Sequence, residues 1–218
     1  GALHVLWNTV KMATLTAVGG TIVVFFSAYL IERSRKLKKV RAALYLLSVI
    51  PLAILGTVGR LAYLLTFNNP ANPLNVLYGT LTILSLSSIF HYYTVTFLTA
   101  TAALKQMDPA FEAIGESLDA PFYRTFWRVV APLGLPAVIS IATYLFLNSL
   151  VTLSAIAFLF VPGKEMASVM VMFLDDAAET AQAMAMALLI LVTGPISRGL
   201  FSLLTRGIER RTQAWTQR

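Results

Sequence analysis

The chain has 218 residues, 57% hydrophobic and only 12% charged, with a net charge of +7; its mean hydropathy is +0.74. Average soluble domains carry about 25% charged residues, so an ordinary globular enzyme, a disordered chain and a collagen-like chain are all excluded. With no cysteine, disulfides, thiolate metal sites and cysteine nucleophiles are excluded as well.

A hydrocarbon core about 30 Å thick needs roughly 20 apolar residues as helix. Five stretches meet that length and predict an all-α membrane domain covering residues 1–218. Uninterrupted apolar runs such as 43–47 lack the alternation of a membrane β-strand. The first span, residues 9–31, carries Lys11 as its single charge. It is too long for a signal peptide and lacks a small-residue cleavage site. Because the chain opens almost directly in front of this span, a longer chain and one half of a fused two-part protein are both compatible with it.

Residues 32–41 follow, with six basic residues and one acid. Pinned between two spans, this run is expected as a topology signal or an anionic-lipid contact rather than a nucleic-acid patch. The second span, 42–67, contains Pro51 and Arg60. Arg60 lies late in the span, where it either snorkels to the surface or meets an anionic substrate. Residues 68–73, Asn-Asn-Pro-Ala-Asn-Pro, read as a turn-rich connection. The uncharged third span, 74–104, holds His91 beside Tyr92 and Tyr93. A lone histidine is either a hydrogen-bonded packing residue or part of a polar path, and nothing nearby supplies further metal ligands.

Residues 105–131 read as a helix, a break and a second helix. Asp108 can cap the first, with Pro109 at its first position. Phe111, Ile114 and Leu118 share one face, and Asp119-Ala120-Pro121 breaks it. In the second helix Phe122 and Phe126 share a face, as do Arg124 and Arg128. A mere connector needs no cluster of Phe111, Phe122, Tyr123, Phe126 and Trp127; such a patch marks a partner site or a membrane-lying surface.

The fourth span, 132–160, carries Asn148, Ser149, Thr152 and Ser154. These either line a polar path or hydrogen-bond neighbouring helices. Residues 161–180 carry a net charge of −3 and an apolar piece, 166–174, too short to span and expected to be re-entrant or interfacial. Asp175, Asp176 and Glu179 either pair with a partner's basic residues or form a solvated acidic loop, and they lack calcium-loop spacing. The fifth span, 181–204, places Ala183 and Ala187 four apart for close helix contact. Fourteen of the 17 basic residues fall on one side of this five-span layout. That side is expected to be cytoplasmic, with the amino terminus outside and the carboxy terminus inside.

The stretch 111–132, Phe-Glu-Ala-Ile-Gly-Glu-Ser-Leu-Asp-Ala-Pro-Phe-Tyr-Arg-Thr-Phe-Trp-Arg-Val-Val-Ala-Pro, resembles the EAA loop of binding-protein-dependent ABC transporter permeases, the type I importers. Phe126, Arg128, Val129 and Pro132 are similar to the motif's ending. Asp119 stands where the family has glycine, and the Glu-Ala-Ala core appears as Glu112-Ala113-Ile114-Gly115, one place early. Asn8-Thr9-Val10 resembles the start of the family's core domain. Residues 152–160, 167–169 and 175–177 resemble the subgroup for 2-aminoethylphosphonate and ferric iron.

The resemblance implies one half of a pore, as a homodimer or pseudo-symmetric pair, in the inner membrane. It also implies separate ATPase subunits that hold ATP and magnesium, and an external solute-binding protein. The implied ATPase-coupling residues are Phe111, Glu112, Ala113, Gly115 and Glu116, then Asp119, Ala120, Pro121, Phe122 and Phe126. The candidate path residues are Arg60, His91, Asn148, Ser149 and Thr152. 2-Aminoethylphosphonate is the expected solute, with ferric iron, thiamine and polyamine as alternatives. The residues agree with this division of labour: no Gly-x-x-x-x-Gly-Lys-Ser/Thr occurs, so a P-loop in this stretch is excluded. A secondary transporter would place an acid at mid-membrane, and an intramembrane hydrolase would need one beside His91; spans three and four have none.

Overall fold

The computed structural model describes residues 2–33, 38–54, 56–107, 121–152 and 166–212. Among these, every regular element is helical. Three helices are long and apolar enough to cross a membrane, Ala2–Glu32, Leu81–Lys105 and Thr180–Thr205. A fourth crossing is reached if Tyr123–Leu133 and Leu135–Val151, bent by 73° at their junction, count as one.

Helix α1 (Ala2–Arg33) buries one face and leaves the other apolar and exposed, as a helix between protein and lipid must. Met12, Ala13, Ala17, Val24, Phe25, Ala28 and Tyr29 are buried, while Leu15, Val18, Ile22 and Phe26 are exposed. Its main neighbours are α4 (Leu81–Lys105) and α6 (Leu135–Val151), which pack on it and on each other. Gly20 permits this close approach: a Cβ there would lie 2.7 Å from Leu145 Cδ1 and 3.2 Å from Ile89 Cγ1.

The expected second span is two helices, α2 (Lys38–Ala53) and α3 (Gly56–Phe67). With 16 and 12 residues they are each too short to span. Pro51 lies inside α2, which ends at Ala53 and is followed by a bend at Ile54. Proline lacks an N–H and its ring crowds the carbonyl four residues back, which weakens the helix at that turn. Among the described residues three or four crossings are found, so the expected five are not reached there. The third span also starts later than 74: Pro73–Leu77 is a 3-10 turn capped by Asn72, and Thr80 caps α4. The connection before it is the turn that its Asn and Pro content predicts. Asn72 Nδ2 donates to the Thr66 carbonyl (2.9 Å) and Asn75 Nδ2 to the Phe67 carbonyl (2.7 Å).

Buried hydroxyls join the helices. Thr94 Oγ1 donates to the Ser48 carbonyl (3.0 Å), Ser85 Oγ to the Met12 carbonyl (3.3 Å), and Ser27 Oγ pairs with Tyr93 Oη at 2.8 Å. In lipid, such bonds and close packing replace the missing hydrophobic drive between helices.

Before α6 runs a short composite helix, α5. It comprises Phe122–Thr125, a π-helical turn at Phe126–Val130, and Ala131–Leu133. Beyond α6 come α7 (Ala167–Asp176) and α8 (Thr180–Thr212). Helix α7 coincides with the short apolar piece expected between spans four and five. Met166 gives it no side-chain cap. Thr9 of α1 does so instead, accepting from the Ala167 N–H at 2.8 Å while donating to the Val5 carbonyl at 3.0 Å.

Candidate functional site

Two places bring polar or aromatic side chains together in a way that the packing alone does not require. The first is a groove of about 600 Å³ between α6 and α8. From α6 it is lined by Ser140, Thr143, Tyr144 and Asn148, which recur at helical spacing on one face. From α8 it is lined by Arg198, Phe201, Ser202 and Thr205, again at i, i+3, i+4 and i+7. Among the described residues no Asp or Glu lines it and Arg198 has no acidic partner. Several polar groups are already engaged. Thr143 Oγ1 donates to the Ile139 carbonyl (2.7 Å), Thr205 Oγ1 to the Phe201 carbonyl (2.8 Å), and Asn148 Nδ2 to the Tyr144 carbonyl (2.8 Å).

The sequence-derived path residues divide around this groove. Asn148 lines it. Ser149 and the α6 C-cap Thr152 are buried and are not among its lining residues, and Ser168 Oγ donates to the Thr152 carbonyl at 2.9 Å. His91 stands one residue behind the wall. Its ring meets Tyr92 edge-on at 4.8 Å, Tyr92 meets Tyr144 at 6.0 Å, and Tyr92 Oη donates to the Asn148 carbonyl at 3.4 Å. Arg60 belongs to α3, none of whose described side chains lines the groove. Ser154 lies outside the described residues.

Sequence reasoning missed Ser140, Thr143, Tyr144, Ser202 and Thr205, and treated Arg198 only as a topology marker. The signal that could have found them was the matched polar stripe on two spans, one carrying a cation. Among the described residues, no cluster of three His, Asp or Glu could hold a metal ion.

The second place is α5. Seven of the expected coupling residues, Phe111, Glu112, Ala113, Gly115, Glu116, Asp119 and Ala120, lie outside the described residues. Pro121 immediately precedes α5 and Phe122 opens it. Phe126 differs from the expected exposed patch: it is 7% exposed and surrounded by α1 aromatics. Its ring centroid lies 4.8 Å from Tyr29, 5.7 Å from Phe26 and 6.2 Å from Phe25. Tyr123 and Trp127, at 54% and 70%, remain exposed. The difference is one of helical phase: an amphipathic segment lying against α1 must turn one aromatic inward while its neighbours in sequence point out. At the junction with α6, Gly134 fits under Phe25, where a Cβ would come 2.5 Å from Phe25 Cζ. Nearby, Arg41 Nη2 donates to the buried Glu32 Oε2 at 2.6 Å, tying the end of α1 to α2.

No family model matches the sequence. The ferric transport system permease protein FbpB of Actinobacillus pleuropneumoniae is 31% identical over 147 residues, 67% of this chain and 20% of that protein. The putative ferric transport system permease protein FbpB 1 of Haemophilus influenzae is 32% identical over 147 residues, 67% of this chain and 22% of that protein. The Fe(3+)-transport system permease protein FbpB 2 of the same organism is 29% identical over 157 residues, 72% of this chain and 29% of that protein. The chain thus spans between a fifth and a third of the length of these relatives.

Among solved structures, an inward-facing MetNI methionine ABC transporter superposes with TM-score 0.76 at 13% identity, covering 94% of this chain and 95% of that one. A bacterial ABC transporter involved in import of the acidic polysaccharide alginate gives TM-score 0.75 at 17% identity, covering 96% and 79%. The chain therefore shares its fold with a chain of each of these two ABC transporter structures.

Proposed function

We propose that this chain is a transmembrane permease unit of an ATP-driven importer, forming half of a pore for a small hydrophilic solute. The observation that carries this reading is the fold likeness over almost the whole chain, 94% of it, to a chain of an ABC transporter. The similarity to three ferric transport permeases supports it independently. ATP and magnesium belong to separate ATPase subunits, a binding protein delivers the solute from outside, and a second permease unit completes the pore. The chain itself performs no covalent chemistry. It sits in the inner membrane with its amino terminus outside and its carboxy terminus in the cytoplasm, where the basic loops accumulate.

Residues 109–131 form the coupling element. Motion of the ATPase pulls on this segment. Phe126, wedged among Phe25, Phe26 and Tyr29, passes the movement to α1, and the bend at Gly134 passes it to α6. Rigid-body tilting of these helices alternates access to the groove.

Ferric iron is the solute that the relatives' names support. 2-Aminoethylphosphonate rests on residues 152–177, many of which lie outside the described residues. The test is co-expression with candidate ATPase and binding-protein subunits, reconstitution in proteoliposomes, and measurement of uptake of iron-55 and of phosphonate. ATP hydrolysis several-fold higher with loaded binding protein, together with uptake of one solute, is expected. Uptake that proceeds without ATP and follows a proton gradient would overturn the proposal in favour of a secondary transporter.

A further inference from the structure

The groove between α6 and α8 has a chemical bias that the permease reading does not predict. Among the described residues its charged lining group is a single guanidinium, Arg198, with no carboxylate paired to it. The threonine hydroxyl protons and one N–H of the Asn148 amide are committed to backbone carbonyls. Beside the hydroxyls of Ser140, Tyr144 and Ser202, Arg198 is the cationic donor among the described lining residues, and its planar fork matches the paired oxygens of a phosphonate, phosphate or carboxylate. A bare trivalent cation would meet repulsion here and none of the carboxylate ligands that a hard metal needs.

From Ser140 to Asn148 the polar stripe covers about 12 Å of helix rise, and Arg198 lies about 27 Å along α8 from Thr180, near the far end of that span. A lipid headgroup pairing with Arg198 at that end would leave its acyl chains against the hydroxyls of α6.

We infer that this groove is a binding site for the anionic oxygens of the passing solute, held by Arg198, so that a ferric solute moves through it as an anionic chelate and not as the bare ion. This inference rests on the permease reading for the word "passing", but the site itself can be tested without transport.

The chain has no cysteine, so a single thiol can be introduced without background. Ser202→Cys places that thiol one helical turn from Arg198. The full chain is assembled in nanodiscs of pure phosphatidylcholine and labelled with an anionic sulfonatoethyl and a cationic trimethylammonioethyl methanethiosulfonate. Rates are normalised to those of a free thiol. The anionic reagent is expected to gain roughly tenfold over the cationic one, for charges about 6 Å apart in a partly hydrated site. Arg198→Gln in the same background removes the bias. Arg198→Lys keeps it, but weakens the protection that millimolar methylphosphonate or citrate gives against labelling. An unbiased ratio, or one that Arg198→Gln leaves unchanged, overturns the inference. So does protection that appears only when phosphatidylglycerol is added and not with methylphosphonate or citrate, because the site would then belong to lipid. The assay contains no ATPase and no binding protein, so a failure of the permease reading leaves its outcome untouched.

Discussion

Replacing Thr9 by valine removes one oxygen and almost no volume, at a position 1% exposed. That oxygen accepts from the Ala167 N–H at 2.8 Å and is the side-chain cap of α7. The valine variant leaves a buried backbone donor without a partner in a low-dielectric environment. Losing an N-cap costs about 0.5–2 kcal/mol, and an orphaned buried donor about 1–3 kcal/mol. The two descriptions overlap, since they concern the same N–H, so the expected loss is about 2 kcal/mol and not their sum. For a chain of this size that corresponds to a fall in Tm of about 4–8 °C. Thermal unfolding of the purified chain in a mild detergent measures it. Thr9→Ser, which keeps the hydroxyl and loses a methyl, is expected to recover most of the difference. If serine and valine destabilise equally, the effect is one of packing and the capping argument is wrong. An unchanged Tm for valine would refute it outright.

Phe126→Ala empties the space between Phe25, Phe26 and Tyr29; aromatic pairs contribute about 0.5–1.5 kcal/mol each, so a loss of about 2–3 kcal/mol in detergent unfolding is expected, with Phe126→Leu intermediate. In the reconstituted complex Phe126→Ala is also expected to uncouple ATP hydrolysis from uptake. Trp127→Ala, at a side chain 70% exposed, is expected to leave Tm within about 1–2 °C, the scale of a surface substitution; a drop as large as that of Phe126→Ala would show that its exposure is misjudged. Gly20→Val drives a side chain into Leu145 and Ile89 and is expected to reduce Tm by several degrees, whereas Gly199→Ala, which meets nothing within 4 Å, is expected to change it little. Tyr93→Phe removes the bond to Ser27 and is expected to cost only about 0.6 kcal/mol, the average for an interhelical bond in a membrane, read as a Tm shift of 1–3 °C.

Composition and segment length were enough to establish a helical membrane domain, because a backbone in lipid has few other ways to satisfy its hydrogen bonds. The turn at residues 68–73 and the short helix after residue 166 were legible for similarly local reasons: asparagine and proline chemistry, and an apolar run too short to span. The resemblance at 111–132 pointed to the fold that the full-length structural likeness supports.

What the sequence could not decide were relations between distant residues. Hydropathy averages over a window, so 42–67 reads as one span, where the structure has two helices, α2 and α3. Helical phase relative to a neighbour is invisible in one chain segment. Phe126 and Trp127 look alike in sequence, yet one is buried against α1 and the other faces outward. Thr9 and Ala167 are 158 residues apart, and only their packing reveals a cap. The same holds for Arg198, which marked a membrane boundary by charge alone. It becomes the cation of a groove only when α8 lies against α6, since the hydroxyl stripes of both helices are needed to make a polar wall.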